Sequence, residues 1–594
     1  MPHTKLVLLS ACLSLLLFVS LPSFAIEGRL PKGKITVSTG KFRDWEFAPS
    51  EIFGIGLLDN TQNRYYYKIA KINDSLVQVE RHNPAEVILT KTMLYFSNGA
   101  IHAVKEVNQW GEEYSQEYFT NCGEGEYYVT KKVRGENSYL PCKKARFIYK
   151  ENLLKEIRYF DDSGASCTCG NGAAILRYKK LSDKNRFSKP IETSSYDETD
   201  SPAVSTISDC HKVLYEYDEN GNKLNEKYFG TDGLPVANRF GMYGLQYPPP
   251  VLYHRYDEES LGPQYQIANN ILGIAVVESV FSDKNFLVTQ TRFDSKFKIT
   301  RSSPAMDGVA ITQYKRDDKG NETEKTFYDE QNKPINNTHG YQKVASVYSA
   351  RNMLTDVSYF DFEGRPFSDD INVHHYKYDM DSIGRVITVK YFDKQDQPNV
   401  DILDRVYEKK YAYDDFGRRV SESYWRANGE PMNRWNGYHE SRTKFNDDGR
   451  PVEVGYLDEN GNYIKTNTGY SLQKIEYNKR GLIAMRSYFD GCAAIVLHGS
   501  GNISNFHAIK YGYDSSRRLN VVEYLDTANA PTDASIQLGI NNLTCQKVEF
   551  FYNGVRIMQE KLYKTDATLP PVIINCLRER YISSSGVGTV APNK

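Results

Sequence analysis

Several side chains in this sequence have the type and spacing to do chemistry. Acidic pairs recur at turn-like positions: Asp317-Asp318, Asp414-Asp415 and Asp447-Asp448. Paired carboxylates are the tools of glycoside cleavage, and clustered carboxylate oxygens are what calcium takes. An Asp at the head of a turn, however, already finds donors in its own loop, and that explains each of these without a ligand. His374-His375 is the pair that most invites a metal reading. Neighbours on a regular strand point to opposite faces, so the two cannot share one ion. Lys409-Lys410 fill similar places further on, which makes the histidine pair read as strand surface. There is no Gly-x-Ser-x-Gly elbow, phosphate loop or His-Glu-x-x-His. No catalytic residue, cofactor or metal site is assigned, and the chain reads more as a non-enzyme than as an enzyme. A glycan-active enzyme using paired carboxylates is the rival reading.

Aromatic residues are the other candidates, because 45 Tyr, 27 Phe and 4 Trp make up 13% of 594 residues. Exposed rings can stack on sugars or on an extended polymer. Trp425 and Trp435 are the candidates for ligand contact, since they are read as standing where other units carry smaller or polar residues. Tyr215, Tyr217, Tyr411 and Tyr413 are read instead as lining a core. The 74 basic and 75 acidic residues leave a formal net charge of −1, which argues against general polyanion binding, and no nucleic-acid partner is expected.

Residues 1–25 read as a signal peptide: Lys5, then the apolar stretch from Leu6 to Val19, then small residues around Ser23-Phe24-Ala25. Lipid attachment at Cys12, in Leu9-Ser10-Ala11-Cys12, is a minor alternative. The mature chain has no other run of the ~20 apolar residues that a membrane helix needs. The expected location is periplasmic or extracellular, with a protein or carbohydrate partner at the cell envelope. Beyond Cys12, eight cysteines remain: Cys122, Cys142, Cys167, Cys169, Cys210, Cys492, Cys545 and Cys576. An even number in an exported chain suggests disulfides. Nearness in sequence favours Cys122 with Cys142 and Cys545 with Cys576. Cys167 or Cys169 is a partner for Cys210, and the connectivity stays open.

The elements that position these residues come from a repeat. Tyr359, Tyr391, Tyr424, Tyr456 and Tyr488 follow one another at 32, 33, 32 and 32 residues. Pro334, Pro366, Pro398 and Pro431 repeat with them. Each unit has an earlier half, as in Tyr215-Glu216-Tyr217-Asp218 and Tyr411-Ala412-Tyr413-Asp414, with Gly three residues after the Asp. Aromatics at i and i+2 share one face of a strand, and Asp-x-x-Gly is a tight turn. Tyr413 and Tyr424, and five other aromatic pairs, are 11 apart, so they are expected to face each other across a hairpin. A second turn follows, then a looser connector.

The fold class is therefore all-β: stacked β-hairpins of about 32 residues forming a long curled or spiral sheet. The array is expected over residues 146–565, irregular at 230–306, where an insertion or a degenerate pair of units interrupts it. Residues 26–145 are read as an N-terminal β-rich domain or cap, and 566–594 as a C-terminal tail.

At Tyr215-x-Tyr217-Asp218-x-x-Gly221-Asn222 and Tyr411-x-Tyr413-Asp414-x-x-Gly417-Arg418 the chain resembles the bacterial RHS/YD-repeat superfamily. That resemblance implies a long spiralling β-sheet, in some members a hollow shell around a C-terminal toxin. The period here is longer than that of the typical repeat. The tail after Phe551-Tyr552-Asn553-Gly554 is too short for a toxin domain. The expected function is a binding or structural scaffold, exported to the envelope or beyond it, with an RHS-like shell or delivery protein as a further alternative.

Overall fold

A strand of tyrosines and β-branched residues must find partners for its backbone groups, and here the partner is almost everywhere the next segment of the chain. The computed structural model describes residues 66–97, 100–123, 126–133, 142, 144–150, 153–161, 163–169, 172–180, 190–217, 223–248, 255–447, 449–497, 503–514, 518–538, 541–553 and 556–564, with short pieces at 34–38, 46–48, 51–53, 566, 568, 570–575, 582–583 and 586–587. All regular structure among them is β-strand, and the pairings are antiparallel. Residues 1–25, where the signal peptide is expected, and Cys576 lie outside the described residues. The chain forms two compact units, Met1–Pro398 and Asn399–Lys594.

One hairpin shows the design. Strand Ile311–Arg316 pairs with Glu322–Tyr328, from Ile311 opposite Tyr328 to Arg316 opposite Glu322, with a bulge after Lys315. The turn between them is closed by Gly320 N–H to Asp317 O (3.0 Å) and Asp317 N–H to Asn321 O (3.0 Å). Gly320 has φ +86°, the left-handed position that a type I turn with a bulge requires. Asp317 Oδ1 accepts the N–H groups of Lys319 (3.0 Å) and Asn321 (2.9 Å). This tip turn recurs at Asp381, Asp414, Asn446, Asn478 and Asp514.

A second turn of the same build follows, as at Asp329–Lys333 and Asp361–Arg365. The chain then makes one isolated bridge back to the hairpin, Tyr328 to Pro334 and Phe360 to Pro366. A single bridge asks no N–H of its proline, which is why the prolines repeat there. The stretch expected to be a loose connector contains a third turn of this type: Asn337 Oδ1 accepts the N–H groups of His339 and Tyr341. The joint to the next hairpin is narrower than the hairpin itself, with three residue pairs (Glu324–Ala345 to Thr326–Lys343) against six within it.

The facing expected for aromatics 11 apart is corrected. Tyr413 lies opposite Arg419, and Tyr424 lies opposite Lys409. The turn is centred three residues after Tyr413, so the two tyrosines stand at opposite ends of the hairpin. The base-end tyrosine packs instead against an aromatic of the connector. In the second unit Tyr424, Tyr438, Tyr456, Tyr470, Tyr488, Phe506 and Tyr524 form a column with successive ring centroids 4.6–5.8 Å apart. In the first unit Phe327, Tyr341, Tyr359, Tyr376 and Tyr391 form a looser column, with successive ring centroids 4.7–6.1 Å apart and Tyr376 contributed by a strand. The tip-end tyrosines are half-buried, and several bolt one hairpin to the one before: Tyr217 OH donates to Pro190 O (3.1 Å), Tyr477 OH to Pro451 O (2.9 Å) and Tyr513 OH to Ile483 O (3.0 Å).

Residues 230–306 carry degenerate units. Gly244–Gln246 and Arg255–Leu261 pair in sequence with their neighbours, and turns close at Gly230–Leu234 and Gly262–Gln266. Ser260 and Arg292 take the buried base-end place of the tyrosines, which hides the period. Residues 66–133 form a meander on a core of Ile69, Val79, Leu94, Val104, Phe119 and Phe147, and its last strand pairs directly with Lys144–Lys150.

Candidate functional site

Two edges border the sheet: one made of hairpin tips, the other of base and connector turns. Strand polarity places the turns Asn83–Val87 and Asn108–Glu112 on the connector edge, because the strand leaving Asn108–Glu112 runs to the tip edge beside Ile148. Within the first unit, these two turns meet the tip edge of hairpins more than 230 residues later. Asn83 Nδ2 donates to Lys319 O (2.7 Å), Trp110 Nε1 to Arg351 O (2.8 Å) and Asn108 Nδ2 to Ile383 O (3.2 Å). The acceptors are all third residues of tip turns. Trp110 lies against Gly384, where a Cβ would overlap its ring, and Gly384 has φ +88°. Burial pushes the Glu112 carboxyl up, with the Arg385 charge opposing it. The sheet of this unit thus returns on itself, connector edge to tip edge.

Consecutive connector turns are tied in a ladder. Ile271 N–H bonds Phe240 O (2.9 Å), Thr338 N–H bonds Asp307 O (3.0 Å), Trp435 N–H bonds Asp404 O (3.3 Å) and Asn467 N–H bonds Asn436 O (3.2 Å). The turn at Asp401–Val406 is one residue longer than Asp369–Val373, which accounts for the single spacing of 33. It is held from beneath by buried charges. Asp401 is fully buried, accepts the Asp404 N–H (2.5 Å) and lies 3.7 Å from Lys409 Nζ. Lys409 and Arg434 both pair with Asp404, and Arg434 also donates to Tyr438 OH (2.8 Å). Burial pushes the Asp401 carboxyl up. Burial works against the Lys409 charge, yet its hydrogen bond to Asp404 and the Asp401 charge raise its pKa.

Trp435 stands on this edge with 54% exposure, its ring outside the core. Trp425 does not occupy a smaller residue's place. It closes its strand as Phe360 and Phe392 close theirs, half-buried, with Lys410 Nζ 3.8 Å from the ring centroid and His439 edge-on at 5.1 Å. The two candidates are therefore not one surface by construction: one belongs to the sheet face, the other to the connector edge.

His374 is buried, not on the strand surface. By register, Lys409 faces Tyr424 whereas His375 faces Phe392, so the lysine pair is not in the histidines' place. His374 Nδ1 pairs with Phe367 O (2.9 Å) and its ring sits edge-on to Phe360. His439 and His507 repeat this contact with Met432 O and Ile495 O, and His211 repeats it with Ala203 O (3.3 Å) while also reaching the strand carbonyl Ser195 O (2.7 Å). They form a row of latches between strand and connector that the sequence reading missed, although their place just before each first strand could have revealed it. His375, pointing the other way, lies between Asp356 (2.9 Å) and Asp396 (3.0 Å). Among the described residues no three His, Cys, Asp or Glu side chains gather as a metal site. Asp317 and Asp414 each head a turn and accept two backbone N–H groups, whereas Asp447 follows Asn446, which heads its turn.

The cysteine pairing is corrected. Cys142 bonds Cys167. Cys142 precedes Lys144, opposite Phe160, where the loop carrying Cys167 folds back. Cys122 lies two strands away near the other end of the ladder, far beyond the ~7 Å Cα limit for a bridge. Cys169 Sγ approaches Cys142 O (3.9 Å). Cys210 and Cys545 are buried thiols, not half-cystines. Cys210 donates to Ser208 Oγ (3.2 Å), and burial pushes Cys545 up to about 12.

No protein-family model matches the chain, and no curated protein matches it. Solved structures do. A TcdB2–TccC3 complex aligns over 90% of this chain and 33% of its own, at 10% identity and a TM-score of 0.28. The Photorhabdus luminescens Tc holotoxin pore aligns over 87% and 32%, at 9% identity and 0.27. A porin-like protein from Bacteroides uniformis aligns over 56% and 97%, at 8% identity and 0.12. The chain spans about a third of the toxin chains it matches. No helix among the described residues is long and apolar enough to cross a membrane.

Proposed function

We propose that this chain is an exported bacterial repeat scaffold of the YD-repeat kind, acting at the cell envelope or outside it and offering its connector edge to a protein or carbohydrate partner. The carrying observation is the division of labour between turns and edge. The lead Asp and Asn side chains are committed to backbone N–H groups, while Ile402, Leu403 and Trp435 stand in water on the connector edge. An RHS-like spiral shell is the second reading, and the seating of Asn83, Asn108 and Trp110 on a later stretch of the same sheet supports it.

The test sets binding against turnover. The mature protein is incubated with a glycan array and with envelope polysaccharide fragments, and the ligands are weighed afterwards. Saturable binding with ligand mass unchanged is expected. Cleavage proportional to protein concentration would restore the paired-carboxylate enzyme. Export is tested by intact mass, with an N-terminus near Ile26 expected.

A further inference from the structure

We propose that the exposed connector turns of the second unit bind the hairpin-tip edge of a second copy of this chain, head to tail. The template is inside the molecule. In the first unit a tryptophan and two asparagines of the connector edge engage the tip edge: indole N–H and amide N–H groups reach third-residue carbonyls, and the indole lies on a tip glycine. Among the described residues the tip turns at Asp317, Ser349, Asp381, Asp414 and Asn478 present the same combination, a third-residue carbonyl followed by a residue of positive φ, so the tip edge is a repeating acceptor.

The second unit shows the donor half of that contact with its ring in water. Val400, Ile402, Leu403 and Trp435 are 46%, 56%, 52% and 54% exposed on two consecutive connector turns. Those turns are joined by the Trp435 N–H bond to Asp404 O and flanked by Asn436 and Asn467. Tryptophan with asparagine is the pairing that Trp110, Asn108 and Asn83 provide. The platform is also preformed. Asp401, Asp404, Lys409 and Arg434 fix the longer loop from below, although Asp401 Oδ2 and Arg434 Nε find no hydrogen-bond partner there. Burying charges is unfavourable unless they are well paired. A loop that bears this cost while holding four apolar side chains in water is shaped for an occupant.

The acceptor on the second copy is the tip turn Asp414–Arg418. Gly417 has φ +74°, and Phe416 beside it is 54% exposed, offering an apolar face to Ile402 and Leu403. Donor and acceptor are different surfaces, so the contact is heterologous and does not close at two copies.

The proposal rests on the scaffold reading of this edge. Its test uses the mature full-length chain alone, so its failure is distinct from failure to bind an envelope ligand. In sedimentation velocity across a concentration series, the average mass should rise without a plateau at two chains. The W435S/L403S variant should raise the concentration needed by about tenfold or more, as expected for removing buried anchors. F416S should do the same from the other side. Mixing the two variants leaves one intact donor and one intact acceptor, so association should return and stop at two chains. Both variants change exposed side chains, and unchanged melting temperatures verify that they fold. A chain monomeric throughout, association indifferent to both variants, or a mixture that fails to form the pair overturns the proposal.

Discussion

Replacing Gly384 by alanine tests whether the first unit's sheet seats on itself. Gly384 has φ +88°, and a Cβ there would overlap the Trp110 ring. Gly364 is the matched control, because it has φ +78° and nothing within 4 Å of an added Cβ. Alanine in the left-handed region costs about 1–2 kcal/mol, and both variants should show that loss. Gly384→Ala must also displace an indole held by its bond to Arg351 O. Overpacking of this kind costs about 1–3 kcal/mol, and a lost neutral hydrogen bond adds about 1 kcal/mol. The excess of Gly384→Ala over Gly364→Ala should therefore be about 2–4 kcal/mol. Urea unfolding reads the stability. Hydrogen exchange locates the effect, and faster exchange is expected at both 108–112 and 381–385. In a Trp110→Ala background the excess should collapse, since the ring that the Cβ meets is gone, and the double-mutant cycle isolates the coupling. Equal losses for the two glycines, or an excess that survives without Trp110, would refute the seating.

Four other outcomes follow from the same geometry. Non-reducing peptide mapping should recover Cys142 joined to Cys167, and removing that bridge should cost about 3.5 kcal/mol for its 25-residue separation; a Cys122–Cys142 peptide would contradict the strand register. Tyr477→Phe should lose about 1 kcal/mol in urea unfolding with the bond to Pro451 O, and no loss would mean the hydroxyl is not a bolt. His374→Ala should destabilise by about 1–3 kcal/mol, while His374→Gln should recover part of it, because Gln342, at the corresponding place, also donates to a buried main-chain carbonyl, Phe327 O; equal losses would remove the latch. Backbone N–H donors hold the Asp294, Asp329 and Asp458 carboxyls below the usual range. Their contribution is complete above the unfolded value of about 4 and is lost as pH falls through the lower folded values. Asn at all three positions should flatten the acid limb of stability against pH, and an unchanged limb would show that these turns do not set it.

The repeat was legible because its signals are local. Tyr-x-Tyr alternation, Asp-x-x-Gly and the prolines each report on a few neighbouring residues, and together they specified hairpins and the all-β class. What was not legible depended on where a turn is centred or on distant segments. The Tyr413–Tyr424 facing failed by a turn centre, because the bulge places Tyr413 opposite Arg419. The third turn was hidden because Asn337, Asp369, Arg434 and Thr466 head it with different side chains. Ser260 and Arg292 concealed two units by replacing aromatics. Cys142 and Cys167 pair through the ladder, which nearness in sequence does not report. Trp435 was legible as a pattern-breaker. The contact of Trp110 with hairpins 241 residues on carried no sequence signal at all.

The narrow joints between hairpins have a mechanical consequence. Six residue pairs hold the two strands of Ile311–Tyr328 together, and three hold Glu322–Tyr328 to the next hairpin. A load applied across the strands peels these ladders one rung at a time, so the ribbon parts first at the three-rung seams. Extension would then come in steps of one repeat, each releasing an intact hairpin that can re-zip when the tension falls. Under tension the number of such steps would scale with the number of three-rung seams in the sheet.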